Sequence, residues 1–197
     1  MRMKSIETFY NGYRFRSRAE ARWAMFFDLA NIPYFYEPEG LEFEDGTKYL
    51  PDFYLPDCDT WFEVKGVMDK ASRHKIEALL STNQKPVVIG YPDMTFEACD
   101  LWEDDAGKRF YTRASKRESC LAQCKSCGKL WFMGLQGMYD CLCCGEYDGD
   151  HHFTTVLDGD GDYFFSSPEV KNYKPRYKDW NIVNAVLAAK EYRFGKA

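Results

Sequence analysis

The sequence predicts an α/β (α+β) chain, a mixed sheet flanked by helices with a small metal-bound ribbon appended, and three observations carry that reading. Trp23, Phe26, Phe27 and Ala30 recur at i, i+3, i+4 and i+7, the spacing of one buried helical face. Residues 86–90, Pro-Val-Val-Ile-Gly, form a short continuous apolar run, as expected of a parallel strand covered on both sides. Two Cys-x2-Cys-Gly knuckles, at Cys124, Cys127 and Cys141, Cys144, are 13 residues apart, the spacing of a tetrahedral four-cysteine zinc site.

Composition agrees with this reading. A chain of 197 residues that is 45% hydrophobic and 17% aromatic can bury one medium domain plus a small module. No apolar run approaches the roughly 20 residues that span a bilayer, and residues 1–10 contain no apolar signal region, so no membrane partner and a cytoplasmic location are expected. Eight cysteines in such a chain indicate metal or free thiols rather than disulfides. The net charge of −5 argues against nonspecific coating of nucleic acid, but its distribution is uneven. Residues 93–166 hold 7 basic against 14 acidic side chains, net −7, while 167–197 hold 7 against 3, net +4. An anionic ligand should avoid the middle and meet the ends.

Taken in order, residues 9–16 alternate aromatic and basic side chains after a tight Asn-Gly turn and read as a short strand or extended arm. Arg14, Arg16 and Arg18 there face either a phosphate backbone or solvent at a sheet edge. Ser17 opens the first helix, and Glu20, three residues on, completes a capping box in which each side chain satisfies the other's backbone amide. Glu20 also shares a face with Trp23 and Phe27, so its carboxylate lies at the margin of the buried stripe, where it needs a partner. Residues 34–37 read as the first core strand, and 41–50 as a hairpin around Asp45-Gly46. Glu37 and Glu39 read as surface or loop residues. Residues 69–81 fit a second helix with Ile76, Leu79 and Leu80 inward; its Lys70, Arg73, His74 and Lys75 form a solvated face or a phosphate-contacting rim. Residues 93–119, despite Trp102, Phe110 and Tyr111, read as a linker or small extension.

The ribbon spans 120–166. Four thiolates leave no open position for water, so its zinc is structural. Cys120 and Cys143 are spare thiols that compete for ligand assignment, His151 and His152 are substitute ligands or plain surface histidines, and Cys58 and Cys99 are ordinary reduced cysteines. Asp158, Asp160, Asp162 and Glu169 fall at calcium-loop positions, but Tyr163 replaces the required glycine, and the segment reads as an acidic turn. Asp179 caps a last helix with Trp180, Val183, Leu187 and Phe194 on one face, which must return to the core. Lys171, Lys174, Arg176 and Lys178 precede it and can meet phosphates.

The chemistry concentrates in residues 49–55 and 61–66. Alternation in an extended chain sends Glu63 and Lys65 to one side and Phe62 and Val64 to the other, and Pro51, which cannot donate to a ladder, places an edge or bulge beside Asp52. Asp52 and Glu63 can hold a divalent ion with oxygen ligands while the Lys65 ammonium lies beside its water, the set that phosphodiester hydrolysis requires. The plain alternative is a cross-strand ion pair on a sheet face.

Pro51-Asp52, ten residues, then Glu63-Val64-Lys65-Gly66, in two aromatic-rich strands, resembles the PD-(D/E)xK nuclease superfamily. The order helix, three strands, helix, strand over residues 13–91 is that superfamily's core order. The segment R-F-R-S-R-A-E-A-R-W-A looks like the first helix of resolvase-type phage endonucleases and transposon-end endonuclease subunits, and the ending A-A-K-E-Y-R-F-G looks like the terminal helix of phage-encoded members. The resemblance implies a restriction-endonuclease-like core over residues 1–92, a linker or extension over 93–119, the zinc ribbon, and a basic segment with the last helix over 167–197. It implies a Mg2+-dependent (or Mn2+-dependent) DNA endonuclease, resolvase-like in acting on DNA structure, in a bacterial or phage-infected cell. Asp52 and Glu63, joined by Glu20, would hold the magnesium, Lys65 would act on the attacking water, and cleavage would leave a 3′-hydroxyl. DNA is the implied partner, with a second copy or another protein also possible. The alternative is a catalytically idle nuclease fold that serves as a nucleic-acid or protein adaptor through its ribbon.

Overall fold

The structure, a computed structural model, describes residues 5–83, 85–103, 109–134, 141–146, 153–160 and 180–195. His151, His152, Asp162, Glu169, the basic residues Lys171, Lys174, Arg176 and Lys178, and Asp179 lie outside the described residues, as do the side chains of Trp102, Phe110, Tyr111 and Trp180.

The chain opens with a hairpin, β1 (Thr8–Tyr10) and β2 (Tyr13–Phe15), rather than a single arm. Asn11 and Gly12 both have positive φ, as a two-residue turn matched to the twist of a hairpin requires. Helix α1 (Arg18–Leu29) follows and stops at Ala30, with Asn31 in the left-handed region. Then come β3 (Phe35–Tyr36), the hairpin β4 (Leu41–Glu42) and β5 (Lys48–Tyr49), and the strands β6 (Phe53–Leu55) and β7 (Thr60–Val64). A single 3-10 turn, Pro56–Cys58, joins β6 to β7. Pro51 is neither bulge nor edge: it falls in the break between β5 and β6, where its missing N–H costs no ladder bond. Helix α2 (Lys70–Asn83) and β8 (Val87–Gly90) complete the predicted series.

The remaining elements enlarge it. Strands β9 (Phe96–Glu103) and β10 (Arg109–Arg113) lie where a linker or small extension was expected, and they extend the sheet. The charge of this stretch concealed the strands because it is paired across the ladder: Arg113 Nε donates to Glu97 at 2.6 Å. Strands β11 (Ser119–Cys124), β12 (Leu130–Gly134) and β13 (Phe153–Asp158) form a second sheet with β11 in the middle, and α3 (Trp180–Glu191) closes the chain.

The fold is therefore mixed α+β, with three α-helices among the described residues. Its six-stranded sheet runs β10-β9-β8-β7-β6-β3, with β7 and β8 parallel and the other neighbours antiparallel. Strand alternation explains why β8 is apolar throughout. Val88 and Phe62 point into a cluster with Trp23, Phe26 and Phe27 of α1, whereas Val87, Ile89 and Trp61 point into a second cluster with Ile76, Leu79 and Leu80 of α2. At Gly90 the sheet lies tight against α1, since a Cβ there would sit 2.7 Å from Trp23 Nε1 and nearer still to the Phe62 ring. Only glycine fits.

The ribbon does not stand apart as an appended module. Leu121 and Phe132 belong to the same buried cluster as Phe27 and Phe62, and the Phe132 ring lies 5.3 Å from Phe62 and 4.9 Å from Phe96. Helix α3 returns to this cluster through Val183, Val186 and Ala189 and packs on α1, while Phe194, just beyond the helix, meets Tyr10 edge to face.

Candidate active site and four-cysteine centre

The β6–β7 register pairs Phe53 with Phe62, which sets Asp52 beside Glu63 at the end of the hairpin. Each strand fastens the other's carboxylate. Asp52 N–H donates to Glu63 Oε1 at 3.2 Å, and Val64 N–H donates to Asp52 Oδ2 at 2.8 Å. Lys65, whose own N–H is held by the Gly90 carbonyl, brings Nζ to 2.5 Å from Glu63 Oε2 and 3.5 Å from Asp52 Oδ2. The Tyr49 hydroxyl donates to Glu63 and lies 3.3 Å from Lys65 Nζ. Glu63 is fully buried and Asp52 nearly so.

Burial first, and then the neighbouring Asp52 charge, push the Glu63 carboxyl up to about 7, against the opposing pull of Lys65. Burial alone would lower the Lys65 ammonium, but Asp52 and Glu63 outweigh it and raise its pKa, so it stays charged. Burial likewise raises the Tyr49 hydroxyl, and it remains a donor.

Glu20 reaches the site from α1, by a modified cap. Its N–H donates to the Ser17 hydroxyl at 3.2 Å, one half of the expected box. The reciprocal half goes elsewhere: Glu20 Oε2 accepts from Arg16 N–H at 3.0 Å and from the Tyr36 hydroxyl at 2.8 Å, while Oε1 accepts from the Ser17 hydroxyl at 2.7 Å. A carboxylate that served Ser17's own amide would face back along the helix. This one faces β3 and Asp52, and burial followed by the Asp52 charge raises its pKa.

Arg16 and Glu37 were not predicted as site residues. Arg14 pairs with Glu7 in solvent, as an edge strand would have it, but Arg16 turns inward. Arg16 Nη2 lies 2.7 Å from Asp52 Oδ1 and Nε lies 2.6 Å from Glu37 Oε1. Glu37, in the left-handed region with its N–H on the Asp52 carbonyl, is a residue of the site's rim rather than of the surface; Glu39 is exposed as expected. On α2, Lys70, Arg73, His74 and Lys75 are exposed, and Lys75 Nζ lies 5.5 Å from the centre of the Tyr49 ring. Sequence reasoning missed Tyr36, Tyr49, Arg16 and Glu37 as site residues. The one available signal was that a phenol on a half-buried strand requires a polar partner, and the carboxylates are its nearest supply.

Whether the residues fit their expected metals differs between the two sites. Sγ atoms of Cys124, Cys127, Cys141 and Cys144 all lie within 4.8 Å of one another, with Cys124–Cys144 at 3.8 Å and Cys127–Cys141 at 3.5 Å. A tetrahedron of thiolates about 2.3 Å from zinc has edges of about 3.8 Å, so the cluster is compatible with a structural zinc. Gly128 and Gly145 have positive φ and return their N–H groups to the Cys124 and Cys141 carbonyls. Cys143 points away, its Sγ donating to the Asp57 carbonyl at 2.9 Å, and Cys120 is buried in β11. Glu20, Asp52 and Glu63, by contrast, do not form a closed ligand set: among the described residues only the cysteines do. The three buried carboxylates offer the hard oxygen donors that magnesium takes, but Lys65 and Arg16 lie among them.

Comparison with known protein-family models and with characterised proteins finds no match to this chain, so the site rests on its own geometry and chemistry.

Proposed function

We propose that the chain is a metal-dependent endonuclease that hydrolyses DNA phosphodiester bonds, with Asp52, Glu63 and Lys65 as the reacting set and Glu20 as a supporting ligand. One observation carries this: two buried carboxylates strapped to each other's strands with a single lysine between them. A cross-strand ion pair needs one acid and can stay in solvent, whereas burying a second acid costs stability unless it is used. A magnesium or manganese ion bound there would neutralise phosphoryl charge and make a bound water more acidic. Asp52 and Glu63 would hold that ion. Lys65, kept protonated by both carboxylates, acts as a charged donor that orients the attacking oxygen and offsets negative charge on the phosphate, not as a base. Tyr49 fixes Glu63. The test is incubation of branched, duplex and single-stranded DNA with magnesium or manganese, in which cleavage of at least one form is expected and its preferred shape names the substrate.

The adaptor reading draws on the absence of a closed carboxylate cluster among the described residues. It predicts DNA binding that is indifferent to magnesium, with no cleavage of any form.

Glu63 gives the reaction a pH signature. A carboxyl titrating at about 7 is protonated below that pH and cannot serve as a ligand, so at subsaturating magnesium the cleavage rate should climb between pH 6 and 8. Lys65 contributes no falling limb in that window, its pKa being raised from an already high value. A rate that is flat across the window would remove Glu63 from the ligand set.

Glu20 is tested by Glu20→Gln. Glutamine retains an acceptor for Arg16 and Tyr36, so stability should change by at most about 1 kcal/mol. As a ligand the side chain must be anionic, so cleavage at low magnesium should fall by about tenfold, the equivalent of about 1.4 kcal/mol, with partial rescue at higher metal. Cleavage that follows the wild type through the whole magnesium titration would leave Glu20 as a cap only.

A further inference from the structure

We infer that Arg16 is a resident counter-cation of Asp52 that a divalent ion displaces, with Glu37 as the tether that receives it; this inference rests on the nuclease reading above.

The two oxygens of Asp52 keep different company. Oδ2 is held on the inner side by Val64 N–H at 2.8 Å and by Lys65, whose side chain is only 15% exposed. Oδ1 faces Arg16 Nη2 at 2.7 Å, and the Arg16 side chain is 52% exposed. The inner cation is packed in place; the outer one can leave. A divalent ion and a guanidinium cannot both sit on the outer lone pairs of one carboxylate oxygen without strong repulsion, so binding of an ion at Oδ1 requires Nη2 to withdraw.

The backbone sets what kind of withdrawal is available. Arg16 N–H is fixed by Glu20 Oε2 at 3.0 Å and lies 3.1 Å from the Tyr36 hydroxyl, so the residue itself stays between Glu20 and Asp52. Only the side chain can swing. A guanidinium spreads its charge over separate nitrogens, and Nε already forms an ion pair with Glu37 Oε1 at 2.6 Å, a carboxylate oxygen that has no hydrogen-bond partner among the described residues. Glu37 in turn is locked to Asp52 through its own N–H, at 2.9 Å from the Asp52 carbonyl. The exchange is therefore local: Nη2 leaves Asp52, Nε remains with Glu37, and the charge that left Oδ1 is replaced by the incoming ion. Arg16 is a positioning residue in this scheme. In the metal-free protein it neutralises Asp52 and keeps Asp52 and Glu20 from repelling each other apart, which preserves the ligands' arrangement until the ion arrives.

The experiment is a Mn2+ titration of the zinc-loaded full chain, followed by electron paramagnetic resonance of the free ion, on wild type, Arg16→Met, Glu37→Gln and the double variant. Zinc stays on its thiolates because Mn2+ is the weaker binder at soft ligands. Arg16→Met should bind Mn2+ about tenfold more tightly than wild type, the scale set by one charge-assisted hydrogen bond no longer competing. A merely structural role for Arg16 predicts weaker binding, not tighter. Glu37→Gln should weaken Mn2+ binding by about threefold in the wild-type background, by returning Arg16 to Asp52, and should have no effect in the Arg16→Met background. If Glu37→Gln weakens binding equally in both backgrounds, Glu37 acts on the ion directly and the tether is wrong. If wild type binds Mn2+ and Arg16→Met binds it equally or less tightly, the exchange is overturned while the nuclease reading stands. If neither protein binds Mn2+, the metal site of the nuclease reading fails, and the exchange with it.

Discussion

Serine in place of Cys141 is expected to cost the chain its zinc and most of its stability. Cys141 is fully buried, and its Sγ lies within 4.8 Å of the three other thiols of the cluster. A four-cysteine zinc contributes on the order of 10 kcal/mol to the module it folds, which matches the whole stability of an ordinary domain at about 5–15 kcal/mol. The loss cannot stay local, because Phe132 of the ribbon sheet is in the same aromatic cluster as Phe27 and Phe62 of the main sheet and its helix. Near-ultraviolet circular dichroism should therefore lose its aromatic signal across the whole chain, alongside a zinc content near zero. Cys143→Ser is the control: that thiol is exposed and points at the Asp57 carbonyl, so zinc should be retained. A Cys141→Ser protein that melts like wild type with zinc bound would show that the cluster is not the metal site.

The second large effect is on the chemistry. Asp52→Asn should lower cleavage by about 10³-fold or more, since one positioned charge at such a site contributes on the order of 10²–10³ and the ion's affinity falls as well. The fold should survive, because asparagine still accepts from Val64 N–H and loses one of three clustered negative charges. Lys65 is the less clean probe. On a solvated sheet face Lys65→Ala would leave the fold intact, but here Lys65 compensates both Glu63 and Asp52 in a buried site, and removing one partner of such a set costs about 3–5 kcal/mol. Loss of activity in that variant has to be separated from loss of fold by its melting curve. Asp52→Asn activity within a few-fold of wild type would end the assignment of Asp52 as a ligand.

How much of this was legible in the sequence depends on the range of the physics involved. Helix α1, the apolar strand β8 and the Glu63/Lys65 alternation follow from periodicity, which is local, and all three are found as read. The cysteine set followed from spacing, because a knuckle closes within four residues. What could not be read is what depends on partners far along the chain. Strand β9 looks polar until Arg113, opposite Cys99, reaches diagonally to Glu97. Arg16 looks like an edge-strand cation until Asp52, 36 residues later, comes within 2.7 Å. The capping box was half right for the same reason: Ser17 and Glu20 are neighbours on any helix, but the direction of the Glu20 carboxylate was decided by Tyr36 on another element.

The packing of α3 on α1 has a consequence in time. Roughly 150 residues separate the two helices, and at a synthesis rate of about 5–20 residues per second that is about 8–30 s of translation. Throughout that interval the side of α1 destined for α3 has no partner, and the ring of Phe194 has not yet been made to cover Tyr10. The knuckle cysteines, in contrast, are all made before α3 begins. A zinc ion suited to that cluster would thus be able to load before closure on the ribosome. A nascent chain with an ion on that cluster would carry its second sheet ready-built when the last helix arrives, whereas one without it would present an unpaired helix face and four free thiols at once, the state most open to aggregation and oxidation.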